Sequence, residues 1–325
     1  MGAAASLACH CLLLCSGATS PTTVPSQAFP SIAAALRQHE ERSLGQEILV
    51  EDGCHDVGAS PLARKHGFRL KAKSSVKTSQ DSTGHEWNAR LRGAWDLDGT
   101  PPPAGERVDD FLKNKVAGKK DDDDGMGAFQ DLSLENQRSS AQPDISVCVM
   151  QVFGGNWKMT RCQIAGAGTG HLYEALILLG GELAEPPPES NIRRCHSPTL
   201  TMQECCVRAL RADELGLDPA PPHEVEHIIF AYGNSTLQMS DCQLRGGEFY
   251  CMHLFDFASA SLLRCQISGA NTAVAVEDFV SLDMRSCTLR DNEYVFHVYS
   301  PHPRASFFNN TFDGQLFEVS ASNLI

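Results

Sequence analysis

The chain has 325 residues, 42% of them hydrophobic, and carries 27 basic against 40 acidic side chains for a formal charge of −13. From residue 144 onward there are 11 basic and 21 acidic residues, and Lys158 is the only lysine. Such a surface repels phosphate backbones and anionic headgroups, which excludes general nucleic-acid binding, and no apolar run is long enough to span a bilayer.

Residues 1–28 read as an unstructured tail or a targeting segment, with three alternatives open. LACHCLLLCSGA (residues 7–18) has the apolar stretch of a secretory signal, yet no Lys or Arg precedes Arg37. MGAAAS fits an N-myristoylation pattern at Gly2 and Ser6, with Cys9, Cys11 and Cys15 as palmitate acceptors. Residues 31–42, entered through Pro30, predict a short amphipathic helix with Ile32, Ala35 and Leu36 on one face. QEILVEDG (46–53) then predicts a strand, and helix plus strand together suit the N-terminal cap of a solenoid. FRLKAKSSV and NARLRGAWDLDG supply further strands between residues 67 and 97. Residues 100–127, rich in Pro, Gly and charge, predict a solvated loop whose Asp121–Asp124 run lacks the alternating spacing of a calcium loop. Coils are expected to resume near Leu132 and to continue through ISVCVMQV.

From Trp157 to Phe312 one phrase recurs six times: WKMTRCQI, LTMQECCV, LQMSDCQL, ASLLRCQI, LDMRSCTL and ASFFNNTF. Three apolar rows run through these phrases. They are Trp157/Leu200/Leu237/Ala260/Leu282/Ala305, Met159/Met202/Met239/Leu262/Met284/Phe307 and Ile164/Val207/Leu244/Ile267/Leu289/Phe312. A fourth row holds Cys162, Cys205, Cys242, Cys265 and Cys287 and ends on Asn310. The last four phrases are 22 to 23 residues apart. Each describes two strands with inward residues at period two, joined by a two-residue bend. HIIFAY, CMHLFDF, AVAVEDFV and VFHVYS add a third strand per coil. Three short strands in about 22 residues make a β-solenoid coil, and stacking is what gives each coil a buried core. The first two intervals are longer, 43 and 37 residues; the first holds two coils or one coil with an excursion. The second contains a Pro-rich loop at 211–224. Leucine-rich repeats are the rival architecture, but their Asn ladder and Leu pattern are missing.

There are 13 cysteines. Five occupy one inward position, where a thiol acts as a small apolar filler, and the strand spacing is wider than a disulfide prefers. A reduced, buried cysteine ladder is therefore expected, which points to a cytoplasmic location. A secreted or lipid-anchored chain is the alternative, and only then would Asn234-Ser235-Thr236 and Asn309-Asn310-Thr311 act as glycosylation acceptors.

These residues resemble the right-handed parallel β-helix, pectin lyase-like superfamily. FPSIAAALRQHEERSLGQEILVEDG is similar to the cap that opens many members. VFGGNWKMTRCQI and the later C-x-[ILV] phrases resemble its eukaryotic, non-enzymatic branch, which includes the β-helix regions of F-box type and SHC-binding type adaptors. The resemblance implies the fold over residues 31–325. It leaves function open between adaptor and enzyme, because one superfold hosts many activities. No F-box-like helical segment accompanies it here.

Lyases of this fold use clustered carboxylates and calcium with a basic proton acceptor, and related hydrolases use several aspartates. Such groups would have to recur at outward positions. The row before the Cys position is Arg161, Glu204, Asp241, Arg264, Ser286 and Asn309. The row after it is Gln163, Cys206, Gln243, Gln266, Thr288 and Thr311. Neither is a carboxylate cluster, although Glu277, Asp278 and Asp283 are expected together near one edge. His223-Glu224-Val225-Glu226-His227 matches the zincin pattern, which needs a helix to bring both histidines to one metal. Here the repeat places His227 at the head of a strand. Cys251 is expected to share a strand face with His253, and Arg193, Arg194 and His196 fall in a solvated loop. Gly154-Gly155 and Gly246-Gly247 read as turns.

The sequence therefore predicts an all-β chain, a single-stranded right-handed parallel β-helix over residues 29–325 with a short N-terminal capping helix. No catalytic, cofactor-binding or metal-ligating residue is assigned, and no cofactor is expected. The expected function is non-catalytic presentation of an extended surface to a protein partner, or to a glycan. A polysaccharide lyase or hydrolase is the alternative.

Overall fold

The computed structural model describes residues 22–25, 31–36 apart from 33, 47–57, 62–64, 68–74, 77–78, 85–93, 95–97, 126–136, 149–152, 154–167, 175–180, 197–210, 225–299 and 302–319. The 100–125 part of the charged loop, the 211–224 loop, His223 and the Arg193/Arg194/His196 group lie outside them.

Among the described residues the chain winds into three parallel sheets of ten, nine and nine strands, each full coil giving one strand to each sheet and Thr22–Val24 adding the tenth strand to the first; Lys77–Thr78 and His85–Glu86 form a separate antiparallel pair. Thr199–Gln203, Cys206–Ala209 and His227–Ala231 form one such coil, and Thr236–Ser240, Gln243–Arg245 and Tyr250–Leu254 form the next. We call the three sheets A, B and C in that order. The coil is right-handed, the hand that right-twisted parallel strands impose on their crossovers. Register is residue for residue: Leu200 pairs with Leu237, and Met202 with Met239. The next step pairs Leu237 with Ala260 and Met239 with Leu262. A period-two pattern at fixed register sends every like residue to the same face, so the three apolar rows line the interior. Every member from Trp157 to Leu289 is at most 3% exposed. In the coil of Arg304–Phe308 the same positions, Ala305 and Phe307, are exposed, since no described strand lies above them.

The bend between sheets A and B explains the residue preceding each Cys. Asp131, Arg161, Glu204, Asp241, Arg264, Ser286 and Asn309 all have φ between 51 and 59°. For a residue with a Cβ this left-handed conformation costs roughly 1–2 kcal/mol. It lets the bend amide bond forward to the next coil, as in Arg161 N to Gln203 O and Glu204 N to Ser240 O, both 2.9 Å. The side chains at this bend also pair along the axis. Arg161 Nε and Nη2 donate to the two Asp131 carboxylate oxygens at 2.6 and 3.0 Å, and Arg264 meets Asp241 likewise at 2.6 and 2.7 Å. Cys162, Cys205, Cys242, Cys265 and Cys287 follow the bend, buried and free of disulfides. Their thiols donate back to the bend, as from Cys242 Sγ to Ser240 O at 3.2 Å. Asn310 takes over at the end of the row, accepting from Cys287 N at 2.8 Å and donating to Met284 O at 2.9 Å.

The described part of the expected capping helix is a helical turn in which Ser31 Oγ accepts from Ala34 N at 3.2 Å, the geometry of an N-cap. Ile32, Ala35 and Leu36 are buried as their shared face predicts. Residues 37–42 of the expected helix are outside the described set. Two boundaries differ from those expected. Thr22–Val24, placed in the tail, is a sheet A strand with Val24 buried, because two β-branched threonines and a valine extend the sheet edge. Met126 and Gly127, placed in the charged loop, belong to the sheet A strand Met126–Gln130, so coils resume six residues before Leu132. Of the two expectations for the 43-residue interval, the single coil with an excursion holds, since Asn156–Thr160 pairs directly with Thr199–Gln203.

Candidate functional site at the corner between sheets C and A

Three successive sheet C strands, His227–Ala231, Tyr250–Leu254 and Thr272–Val276, end in a four-residue turn that repeats along the axis: Tyr232-Gly233-Asn234-Ser235, Phe255-Asp256-Phe257-Ala258, Glu277-Asp278-Phe279-Val280. The second position is left-handed each time, with φ of 62° at Gly233 and 59° at Asp256 and Asp278. That conformation suits Gly and the short polar Asp, and it throws the third side chain outward. Phe257 and Phe279 are consequently 58% and 56% exposed. Their rings stack at 5.4 Å and 7°, and Phe279 stacks on the exposed ring of His302 at 5.1 Å and 8°. The three rings form a ridge parallel to the solenoid axis. Asn234, exposed in the turn before, occupies the same position and bears one of the two glycosylation sequons.

Carboxylates flank the ridge. Burial pushes the Asp256 carboxyl up from its usual value and Asp278 adds to the rise. Glu277 is raised by burial, then by Asp278 and Asp256. Glu277 and Asp278 are thus together as the sequence predicts, joined by Asp256. Asp283 departs from that grouping: it lies on a sheet A strand and accepts from Arg285 Nε at 2.9 Å.

On the outer face of sheet C, beside this corner, is a cluster of His and Tyr side chains. His227 stacks on Tyr250 at 5.4 Å and 9°, and His297 on Tyr299 at 3.9 Å and 14°. The Tyr250 and Tyr299 hydroxyls hydrogen-bond to each other across two coils. His253 sits between the stacks, 5.3 Å from the His227 ring and 5.1 Å from Tyr250. Its Nε2 is 3.8 Å from Glu277 Oε2, which ties the cluster to the acidic corner. His227 Nε2 is 3.8 Å from Glu226 Oε2. Neither ring nitrogen of His227 or His253 has a hydrogen-bond partner. Burial, then the neighbouring His253, lowers His227 to about 3, and burial, then His297, lowers His253 to about 4. Both rings are neutral at physiological pH.

The remaining candidates take structural places. His227 opens a strand, the extended geometry that the repeat predicts for the second half of the zincin-like pattern. Among the described residues no three His, Cys, Asp or Glu side chains converge as a metal centre. Cys251 Sγ donates to Gly246 O at 3.1 Å, and burial pushes this thiol up to about 12, the reverse of an activated nucleophile. Gly246 and Gly247 form a turn with φ of 90 and 99°, where a Cβ on Gly247 would lie 2.6 Å from Tyr250 O.

The ridge is not among the features expected from sequence: CMHLFDF and AVAVEDFV predict strands running through FDF and EDF, whereas the strands end at Leu254 and Val276. The repeated Asp-Phe pair, Asp256-Phe257 and Asp278-Phe279, is the signal that marks it.

No protein-family model matches the chain, and no curated protein matches it in sequence. Among solved structures it is similar to YbhC of Escherichia coli, at 10% identity over 91% of this chain and 86% of that one, with a TM-score of 0.45. It is also similar to the A-module of the mannuronan C-5 epimerase AlgE4 of Azotobacter vinelandii, at 10% identity over 95% and 96%, with a TM-score of 0.31. Tailspike protein 3 of bacteriophage CBA120 is similar at 9% identity over 90% and 57%, with a TM-score of 0.21. Among the described residues no helix is long and apolar enough to cross a membrane. The stacked coils and their three parallel sheets make this chain a right-handed parallel β-helix protein.

Proposed function

We propose that this protein is a non-catalytic binding module whose stacked coils present the Phe257–Phe279–His302 ridge to a protein partner. The carrying observation is two phenylalanines more than half exposed in a row, held in register by the coils beneath them. A large exposed aromatic in water is unfavourable unless it is used, and interface hot spots are rich in aromatic side chains. The ring faces are already stacked on one another, so the ridge offers mainly edges. That suits insertion into an apolar protein groove better than stacking on the flat face of a sugar. A polysaccharide-cleaving reading draws on His253 and Glu277, but both ring nitrogens of His253 are buried. The stacked thiols are reduced in this reading, a cysteine ladder that fills the core as small apolar groups and takes no part in binding.

Replacing both ring positions, Phe257→Ser with Phe279→Ser, should leave the thermal midpoint within a few degrees of wild type, because the rings lie outside the core. Partner affinity should fall by about 100-fold, the scale of two aromatic hot-spot residues. The measurement is quantitative retention of the same partner by wild type and variant in parallel pull-downs. Equal retention rejects the ridge as the binding element. Release of unsaturated or reducing sugar ends from a polysaccharide panel by the wild-type chain would instead establish the enzymatic alternative.

A further inference from the structure

We propose that the His and Tyr cluster on the outer face of sheet C is an acid-opened clasp, releasing the strands His227–Ala231 and Tyr250–Leu254 at a pH where sheet B is still wound. The clasp works independently of the ridge, and its absence would leave the ridge as it is.

The clasp consists of two ring stacks joined at their tips. His227 lies flat on Tyr250 and His297 on Tyr299, and the two hydroxyls meet across the coil of Thr272–Val276. Register sets Phe230, His253, Ala275 and His297 in one row, so a buried alanine separates the last two rings. His253 thereby touches both stacks, 5.3 Å from His227 and 6.0 Å from Tyr299.

The closed clasp has no place for a proton. His227 and His253 are 3% and 8% exposed, and none of their four ring nitrogens is hydrogen-bonded. A neutral imidazole in this position lacks a hydrogen bond or two. An imidazolium has two N–H donors and a full charge, which burial penalises far more. Among the described residues the titratable groups against His227 are Glu226 from its own strand entry, and Tyr250 and His253 from the next coil. Those against His253 are Tyr250 on its own strand, Glu277 from the next turn, and His297 and Tyr299 from two coils on. The two carboxylates stand 3.8 Å away, beyond hydrogen-bonding distance. Two charged rings would also repel each other across 5.3 Å. While the clasp is closed, burial first and the neighbouring histidine second hold His227 at about 3 and His253 at about 4. A ring released to water protonates near 6.5, so each pH unit below that favours the open form by up to about tenfold per ring.

The opening stays local because the core beneath does not titrate. Ile229, Met252, Val274 and Phe296 stack in register under the cluster and are buried. Solenoid coils are held by their nearest neighbours, so one sheet can loosen while the others keep their ladders.

Hydrogen–deuterium exchange of the full chain, read by mass spectrometry at about pH 7.5 and about pH 5 and corrected for intrinsic rates, tests this. Peptides over 227–231 and 250–254 should lose protection by at least about tenfold at the lower pH. Peptides over the sheet B strands 243–245 and 266–268 should then remain at least about tenfold better protected. In His227→Phe/His253→Phe, with its fold checked by circular dichroism, the loss over sheet C should vanish. If that variant does not fold, the single variants His227→Phe and His253→Phe should each remove about half of the loss on a logarithmic scale. Unchanged protection over sheet C at the lower pH would mean that Glu226 and Glu277 close on the charged rings, and overturns the clasp. Equal protection of sheets B and C at that pH overturns it too, since acid would then act only by unwinding the whole solenoid. A loss that persists without either histidine assigns the opening to other groups and overturns it as well.

Discussion

Stability should drop steeply as the pH falls from about 6.5 towards 4, with His227 and His253 as the cause. In the folded protein both rings are held neutral, His227 down to about 3 and His253 to about 4. In the unfolded chain they protonate near 6.5. The unfolded state therefore binds more protons across this window, and protonation pulls the equilibrium towards it. The stability that the neutral rings permit is fully present above about 6.5. It is lost progressively as the pH falls through the folded values. Each ring contributes a slope of about 1.4 kcal/mol per pH unit, or about 2.7 for the two together. Glu277 and Asp256 work in the opposite sense. Their folded values are raised, so acid relieves a penalty, but they are more exposed and their shifts are smaller. Denaturant unfolding between pH 7.5 and 4.5 measures the slope. The double variant His227→Phe/His253→Phe should flatten it by about two protons. It should also hold or raise stability at pH 7, because four buried ring nitrogens without partners are removed. An unchanged slope would show that the rings titrate normally and are open to water.

The second large effect concerns the aromatic end of the core. Trp157 occupies the row that holds Leu or Ala in later coils, and the room for it comes from Gly127 directly beside it in register. A Cβ on Gly127 would lie 1.9 Å from the Trp157 ring. The ring cannot swing away freely, because its Nε1 donates to Gly154 O at 2.9 Å and Phe68 packs on it edge-on at 5.3 Å. Trp157→Ala should cost about 3–5 kcal/mol through the cavity it leaves. Gly127→Ala should cost about 1–3 kcal/mol through overpacking. In the Trp157→Ala background the same Gly127→Ala change should cost little, since the obstacle is gone. Additive costs in a double-mutant cycle by denaturant unfolding would place Trp157 elsewhere.

The core rows and the ridge differ in how far they can be read from sequence, and the reason is physical. Met202, Met239, Leu262 and Met284 repeat because stacking forces like residues above like. From Met239 onward, coils of 22 or 23 residues leave that repeat intact in the chain. Phe257 and Phe279 recur at the same interval, but they stand in turns, where exposed aromatics obey no hydrophobic period. They therefore look like the ends of apolar strands. The His cluster is harder still. Tyr250 and Tyr299 are 49 residues apart and meet only because two coils bring them over one another. His227 and His253 become neighbours only once the outer face of sheet C is known. Gly127 illustrates a third limit: its role is to be empty beside one particular ring, and a charged loop precedes it.

The most direct test of the binding surface places a photo-crosslinking residue at position 257 or 279, and as a control at Arg245 on sheet B. The partner should crosslink from 257 and 279 and not from 245. Crosslinks arising chiefly from 245, or from none of the three with the partner demonstrably bound, would contradict the assignment of function to the exposed rings.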